Sequence, residues 1–410
     1  MRTHLKVGKG GKIMANGVIK VDPELKIIKE IQLLGGDTLK KCYQCATCST
    51  VCPLSTDEAP FPRKQMILAQ WGFKEKLLND PTIWLCHQCG DCSKYCPREA
   101  NPGDVMAALR LLVIKEATPF KFLHTFYNNL WGFPILILIA LSFILIAAFA
   151  TFGGVPNFFD INSFPYGGPS YEIWFLHLPA RVLMIDVIFL PLSAFVIIIL
   201  FSAINKMWNA YVETYKIPQA YRYGMWTILK TYLIPAIGEI LNHTRFEKCE
   251  ANKWRALPHK VLLWAFILLF LTTAIVFIMA DILGFHTPWN PIFHPVKWLG
   301  NIAGLMLLYG VISIILGRSQ AEREKSVKTS YPDSFLNYLI LLVGLTGFGI
   351  EIFRSIPGIK SLTSIIYLSH LVFVFILFLG VAYSKFAHLA LRTTAIVFDL
   401  YFKDITQKMS

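Results

Sequence analysis

Residues 42–53 read CYQCATCSTVCP and residues 86–97 read CHQCGDCSKYCP. Each run has the spacing C-x2-C-x2-C-x3-C-P, and eight of the nine cysteines of the chain lie in these two runs. Three thiolates at this spacing can be presented by one tight loop whose exposed amides also hydrogen-bond the sulfides of a cubane. The fourth thiolate must arrive from elsewhere. Where two such runs occur together, the last cysteine of each ligates the other cluster. The expected ligands are therefore Cys42, Cys45, Cys48 and Cys96 for one [4Fe–4S] cluster, and Cys86, Cys89, Cys92 and Cys52 for the other. Zinc sites are usually built from pairs of cysteines, so two runs ending in Cys-Pro argue against zinc. Cys249 stands alone in a polar loop and reads as a free thiol.

Outward from these runs the chain first looks soluble. Lys6, Lys9 and Lys12 lie among glycines, and no apolar stretch of signal-peptide length follows. The N-terminus is expected to stay in the cytoplasm, where clustered cysteines read as metal ligands rather than disulfides. Residues 1–21 read as a flexible tail. Asp22-Pro23 is a helix start and Gly35-Gly36 a helix stop. Short helices are expected within 61–79 and another at 103–117, which gives a two-cluster domain over residues 22–120.

Beyond residue 120 the composition changes. The whole chain is 55% hydrophobic and 16% charged over 410 residues, against about 45–50% and about 25% for a soluble domain. The excess falls in six apolar segments near 131–152, 171–204, 258–282, 296–317, 334–354 and 362–388, each long enough to cross about 30 Å of hydrocarbon. The loops at 153–170, 283–295 and 355–361 hold a single Lys or Arg, Lys360, whereas those at 205–257 and 318–333 hold many. By the positive-inside rule both termini face the cytoplasm, and the chain is a multi-pass protein of the cytoplasmic membrane. The net charge of +13 then points to anionic headgroups rather than nucleic acid. An amphipathic stretch at about 223–241, with Trp226, Ile228, Tyr232 and Ile237, should lie on the membrane surface or dock the cysteine domain.

Ionisable groups inside a membrane are costly and call for a function. His370 and His388 are 18 positions apart in the last apolar segment. On one continuous helix that is five turns, placing both on one face about 27 Å apart, one near each membrane surface. Two b haems stacked across a bilayer need this arrangement. His259 opens the third segment on the inside and suits His388. His177 opens the second on the outside and suits His370, with His294 as an alternative on the same side. His4, His124 and His243, in non-membrane segments, carry no assignment. Arg181, Arg354 and Lys360 could meet haem propionates. Glu172, Asp186, Asp281 and Glu351 are acids of the outer half and candidates for a quinone pocket between helices.

No Gly-rich phosphate loop stands in a strand-to-helix context, and no Cys-Cys dipeptide occurs, so chemistry on a soluble substrate must take place on partners. The segments CYQCATCSTVCP and WLCHQCGDCSKYCPREANPGDVMAALR resemble the C-subunit of heterodisulfide reductases. HKVLLWAFILLFLTT and the 370/388 pair resemble the haem-b E-subunit of those enzymes, as well as the gamma subunit of respiratory nitrate reductases. The two halves together resemble the C-subunit of the quinone-interacting membrane-bound oxidoreductase complex of sulfate reducers. That resemblance implies an α-helical fold, with an alpha-helical two-cluster ferredoxin domain and a six-helix transmembrane haem b bundle over 121–410. It also implies menaquinone as substrate and two cytoplasmic flavin- and iron–sulfur-containing partners related to the A-subunit of heterodisulfide reductase. Electrons would pass toward adenylylsulfate reductase. A fused anchor of a heterodisulfide- or sulfite-reductase-linked complex is the near alternative. A redox-sensing transporter without haem is the distant one.

Overall fold

The computed structural model describes residues 11–13, 19–21, 23–152, 179–243, 253–283, 294–324, 327–353, 356 and 360–409. Among them the only strands are β1 (Gly11–Ile13) and β2 (Ile19–Val21), an antiparallel hairpin within the segment expected to be a tail. All other regular structure among the described residues is helical.

The cysteine domain is a set of short helices wrapped around one long one. α1 (Leu25–Ile31), α2 (Thr47–Thr50), α3 (Arg63–Gln70), α4 (Lys74–Leu78), α5 (Thr82–Leu85) and α6 (Asp91–Lys94) precede α7 (Pro102–Ala117). Pro102 at the first turn and Asp104 beside the N-terminal dipole start α7. A helix apolar on all sides must be buried on all sides, and α7 serves two cores. Val105, Met106, Leu109 and Leu112 join Ile27, Ile31, Met66 and Ile83 in the core of the cysteine domain. Leu111, Val113 and Ile114 join Trp84, Leu85, Tyr211, Leu391 and Phe398 in a second core that crosses into the membrane half.

The membrane half consists of α8 (Lys121–Asn128), α9 (Gly132–Phe152), α10 (Pro179–Thr214), α11 (Met225–Ile228), α12 (Ile234–Asn242), α13 (Ala256–Phe277), α14 (Pro295–Arg323), α15 (Tyr331–Phe353), α16 (Lys360–Tyr383) and α17 (His388–Met409). Parts or all of α10, α13, α14, α15 and α16 are long and apolar enough to cross a membrane, and α8 with the start of α9 forms a pair bent by 119° that passes the same test. Over the described residues, which leave out 171–178 and 354, the six expected segments are helical, with two differences. The second helix runs on to Thr214, with Pro191 inside it. The sixth stops at Tyr383. Small residues let these helices approach closely. A Cβ on Gly317 would come within 2.1 Å of Trp254, and one on Gly344 within 2.6 Å of Leu308.

The stop at Tyr383 corrects the reading of one helix carrying both His370 and His388. Ser384 is extended (φ −107°, ψ −175°), and its hydroxyl oxygen accepts the N–H of Phe386. This serine cap opens a single 3-10 turn, Lys385–Ala387, and α17 begins at His388. α17 is an amphipathic helix outside the spans. It packs on α5, on α10, and on the stretch from α11 to α12. That stretch is joined by a π-helical segment at Leu229–Leu233. Ile228, Tyr232 and Ala236 are buried in the shared core, and Trp226, Ile234 and Ile237 are exposed.

Candidate functional site

The two cysteine loops have the same backbone. Gln44 (φ 63°) and Ala46 (φ 73°) in the first match Gln88 (φ 53°) and Gly90 (φ 89°) in the second. Left-handed residues in a tight loop can turn backbone amides toward an anionic centre. α2 and α6 start immediately after Ala46 and Gly90. The cysteines border two cavities. One is lined by Cys42, Cys45, Cys48 and Cys96. The other is lined by Cys52, Cys86, Cys89 and Cys92, with His87 beside them. Among the described residues no three His, Cys, Asp or Glu side chains converge closely enough for a lone metal ion; the sulfurs ring a space instead.

Donors already face the sulfurs. The Gln88 N–H points to Cys86 Sγ (3.3 Å), the Ala100 N–H to Cys96 Sγ (3.4 Å), and Gln44 Nε2 to Cys42 Sγ (3.4 Å). Burial pushes the Cys48 thiol up to about 11 and the Cys52 thiol up to about 12. Such groups become thiolates by ligation rather than by titration. Exposed Cys45 goes the other way, lowered by the hydroxyl and amide of Thr47.

The second loop is fastened to the membrane half. Arg110, on α7, donates from Nε to the Ile83 carbonyl (2.9 Å), from one terminal nitrogen to Gln88 Oε1 (3.1 Å), and from the other to the Cys86 carbonyl (2.5 Å). Arg255 donates to the Gln88 carbonyl at 2.7 Å. Arg255 lies one helical turn before His259. On the other side α17, which opens with His388, packs on α5, the residues leading into Cys86.

At that junction His259 and His388 stand with ring centres 6.2 Å apart. Each is tethered through Nδ1. His388 Nδ1 lies 2.7 Å from the Lys385 carbonyl, and His259 Nδ1 lies 2.8 Å from His243 Nε2. Sequence alone gives His243 no role, because it lies in a polar stretch between helices. In the structure it caps α12 in the left-handed region (φ 57°). Burial pushes the His388 imidazole down to about 4, with Arg392, Arg110 and Lys385 adding to the effect and the Lys385 carbonyl opposing it. His388 is therefore neutral at physiological pH, the state that binds a metal. Lys385 itself pairs with Asp333, which also pairs with Arg318 at 3.0 Å. That pairing anchors the turn presenting His388.

His370 stands apart on α16. Its Nδ1 is 2.9 Å from Thr346 Oγ1, and Gly347 leaves room beside the ring, where a Cβ would come within 3.3 Å. His177 and Glu172 lie outside the described residues, as do Arg354 and Cys249. His294 caps the start of α14. Glu351 pairs with Lys297, Asp186 is half-buried on α10, and Asp281 lies in a π-helical turn, Ile278–Ile282. His124, given no role from the sequence, is buried on α8.

Fold and site together define a class: a helical membrane protein that carries an iron–sulfur electron-transfer module. Residues 38–100 match the family model of the 4Fe-4S dicluster domain, and residues 218–402 match that of Citrate utilization protein B. The cysteine domain is similar to a heterodisulfide reductase C-subunit-like protein of Archaeoglobus profundus, 37% identical over 94 residues, which are 23% of this chain and 50% of that one. The chain thus spans about half the length of this curated relative. No solved structure matches.

Proposed function

We propose that this chain is the quinone-reactive membrane subunit of an oxidoreductase complex, carrying electrons between a menaquinone pool, two b haems and the two [4Fe–4S] clusters. The carrying observation is the 6.2 Å spacing of the His259 and His388 rings. Two imidazoles at this spacing would hold a haem iron between them. The tethers on Nδ1 add the outer hydrogen bonds that orient a ligating imidazole. A haem held here supplies one-electron chemistry at the inner surface. His370, with its hydroxyl partner, would hold the outer haem with His177 or His294.

The cluster ligands follow the two cavities, Cys42, Cys45, Cys48 and Cys96 in one and Cys52, Cys86, Cys89 and Cys92 in the other. Quinone would react near His370, with Glu351, Asp186, Asp281 or Glu172 taking the proton. Two haems spanning the bilayer serve a purpose when electrons cross from the far side. The partners are two cytoplasmic flavin/iron–sulfur subunits, by resemblance to the heterodisulfide reductase system, with adenylylsulfate reductase as a downstream acceptor. The cysteine domain and both termini lie in the cytoplasm.

A pyridine haemochrome assay on the purified chain tests this reading. Two b haems per chain are expected. His388→Ala and His259→Ala should each remove one haem and keep the other, while His370→Ala should remove the one they keep. A haem-free protein with full iron–sulfur content would overturn the haem and quinone assignments together.

A further inference from the structure

We infer that the cluster held by Cys52, Cys86, Cys89 and Cys92 is the one that exchanges electrons with the membrane half, and that the charge of Arg110 sets its readiness to accept them. The inference rests on the haem reading only for the identity of the donor.

Three observations order the two clusters. The second loop is bonded directly to the membrane half through Arg255 and the Gln88 carbonyl. Trp84 and Leu85, immediately before Cys86, sit in the same core as Leu391 and Ala395 of α17. The first loop looks the other way: Cys45 is exposed, and Tyr43 is 68% exposed with Arg98 4.0 Å over its ring. The first cluster therefore faces a soluble partner, and the second faces the inner histidines.

Arg110 is placed to act on the second cluster. Its three hydrogen bonds go to uncharged oxygens of the loop, the carbonyls of Ile83 and Cys86 and the side-chain oxygen of Gln88. The guanidinium also lies 5.9 Å from the ring of Trp84. Among the described residues no carboxylate pairs with it, so its positive charge is felt by the loop it holds. When one electron leaves the membrane-side donor and enters the cluster, the donor is oxidised by one unit and the cluster becomes one unit more negative. A fixed cation beside the loop favours that added charge, more strongly where water is excluded. No proton is needed at the cluster. From there the same electron passes to the first cluster and out to the partner.

The test is an EPR-monitored redox titration of the whole chain in detergent. Cys45→Ser, at the exposed sulfur, assigns the signals by altering the first cluster. Arg110→Gln should lower the potential of the second cluster by about tenfold in its reduction equilibrium, about 59 mV for one electron, and leave the first unchanged. Arg110→Lys keeps the charge but loses the fork and should retain most of the wild-type potential. Equal shifts in both variants would make Arg110 a structural brace only. A shift confined to the first cluster would reverse the order. If neither Arg110 variant assembles, the wild type still decides the order. The cluster whose spin relaxation is sped up by an oxidised low-spin haem is the near one, and finding the first cluster faster would overturn the inference. A chain without haem that still shows the Gln shift would sink the proposed function but not the role of Arg110.

Discussion

Several side chains at the junction of the two halves hold charge away from water, and Asp104 shows what that does. It opens α7, and its carboxylate accepts the Lys328 N–H at 3.3 Å. Burial pushes its carboxyl up to about 6; repulsion from Asp333 adds to this, and the Lys328 amide, Arg318 and Lys385 oppose it. A carboxyl raised on folding contributes stability that is fully present below its unfolded pKa of about 3.9 and is lost as pH rises through its folded value. Asp104→Asn removes the ionisation and keeps an acceptor for the amide. The melting temperature of the variant minus that of wild type should therefore increase between pH 4 and pH 7. A difference that is flat with pH would show that Asp104 is not destabilised by its burial.

Among elements, the break at Ser384 matters most. Phe386 and Ala387 follow the Ser384-Lys385 pair, and hydropathy runs the sixth span across it to His388. The capping serine is present in the sequence with Lys385 beside it, but two polar residues are a weaker signal than the long apolar run before them. The break becomes visible only in three dimensions, where α17 turns to pack on α5. The rings of His259 and His388 nonetheless stand 6.2 Å apart, because their proximity depends on depth and side, not on helix continuity. His243 has no such signal: a histidine in a polar loop looks like any other. By contrast, ligand spacing is a local property of one tight turn and can be read directly from the sequence; in the structure Cys96 borders the cavity of Cys42, Cys45 and Cys48, and Cys52 borders that of Cys86, Cys89 and Cys92. Ser384→Ala removes the cap, at a cost of about 1 kcal/mol, and frees the turn that carries the Lys385 carbonyl. The expected result is a modest fall in melting temperature and, on the proposed haem reading, a broadened low-spin signal from the inner haem alone. An unchanged spectrum with full stability would mean that packing, not the cap, fixes His388.

At the scale of the whole molecule, the boundary near residue 120 is a boundary of composition and not of packing. Trp84, Leu85, Leu111, Val113 and Ile114 belong to the cysteine domain by sequence, yet they are buried with Met207, Tyr211, Leu391 and Phe398. The sequence points to a helix at 103–117 without showing what covers its second face. A chain ended at Ala117 should thus expose this face. It is expected to bind its clusters but to aggregate or bind hydrophobic dyes without detergent, and adding Trp84→Gln with Leu111→Gln should improve its solubility. A monodisperse, dye-silent fragment without those changes would show that the shared core is dispensable.

The shared core also fixes how current can flow. Some redox modules swing on a tether, so their turnover is set by how often they visit each partner. Here the second loop is sealed to α17 by buried aromatic and aliphatic side chains and to the start of α13 by Arg255. Swinging away would open that core to water, at about 25 cal/mol for each Å² of apolar surface exposed. The gap between the inner histidines and the second cluster is consequently set once, when the chain folds. Passage across it would behave as a soldered joint rather than a relay contact, insensitive to viscosity, and on the proposed function any gating of throughput would lie at the two ends of the wire, at the quinone pocket and at the exposed Cys45.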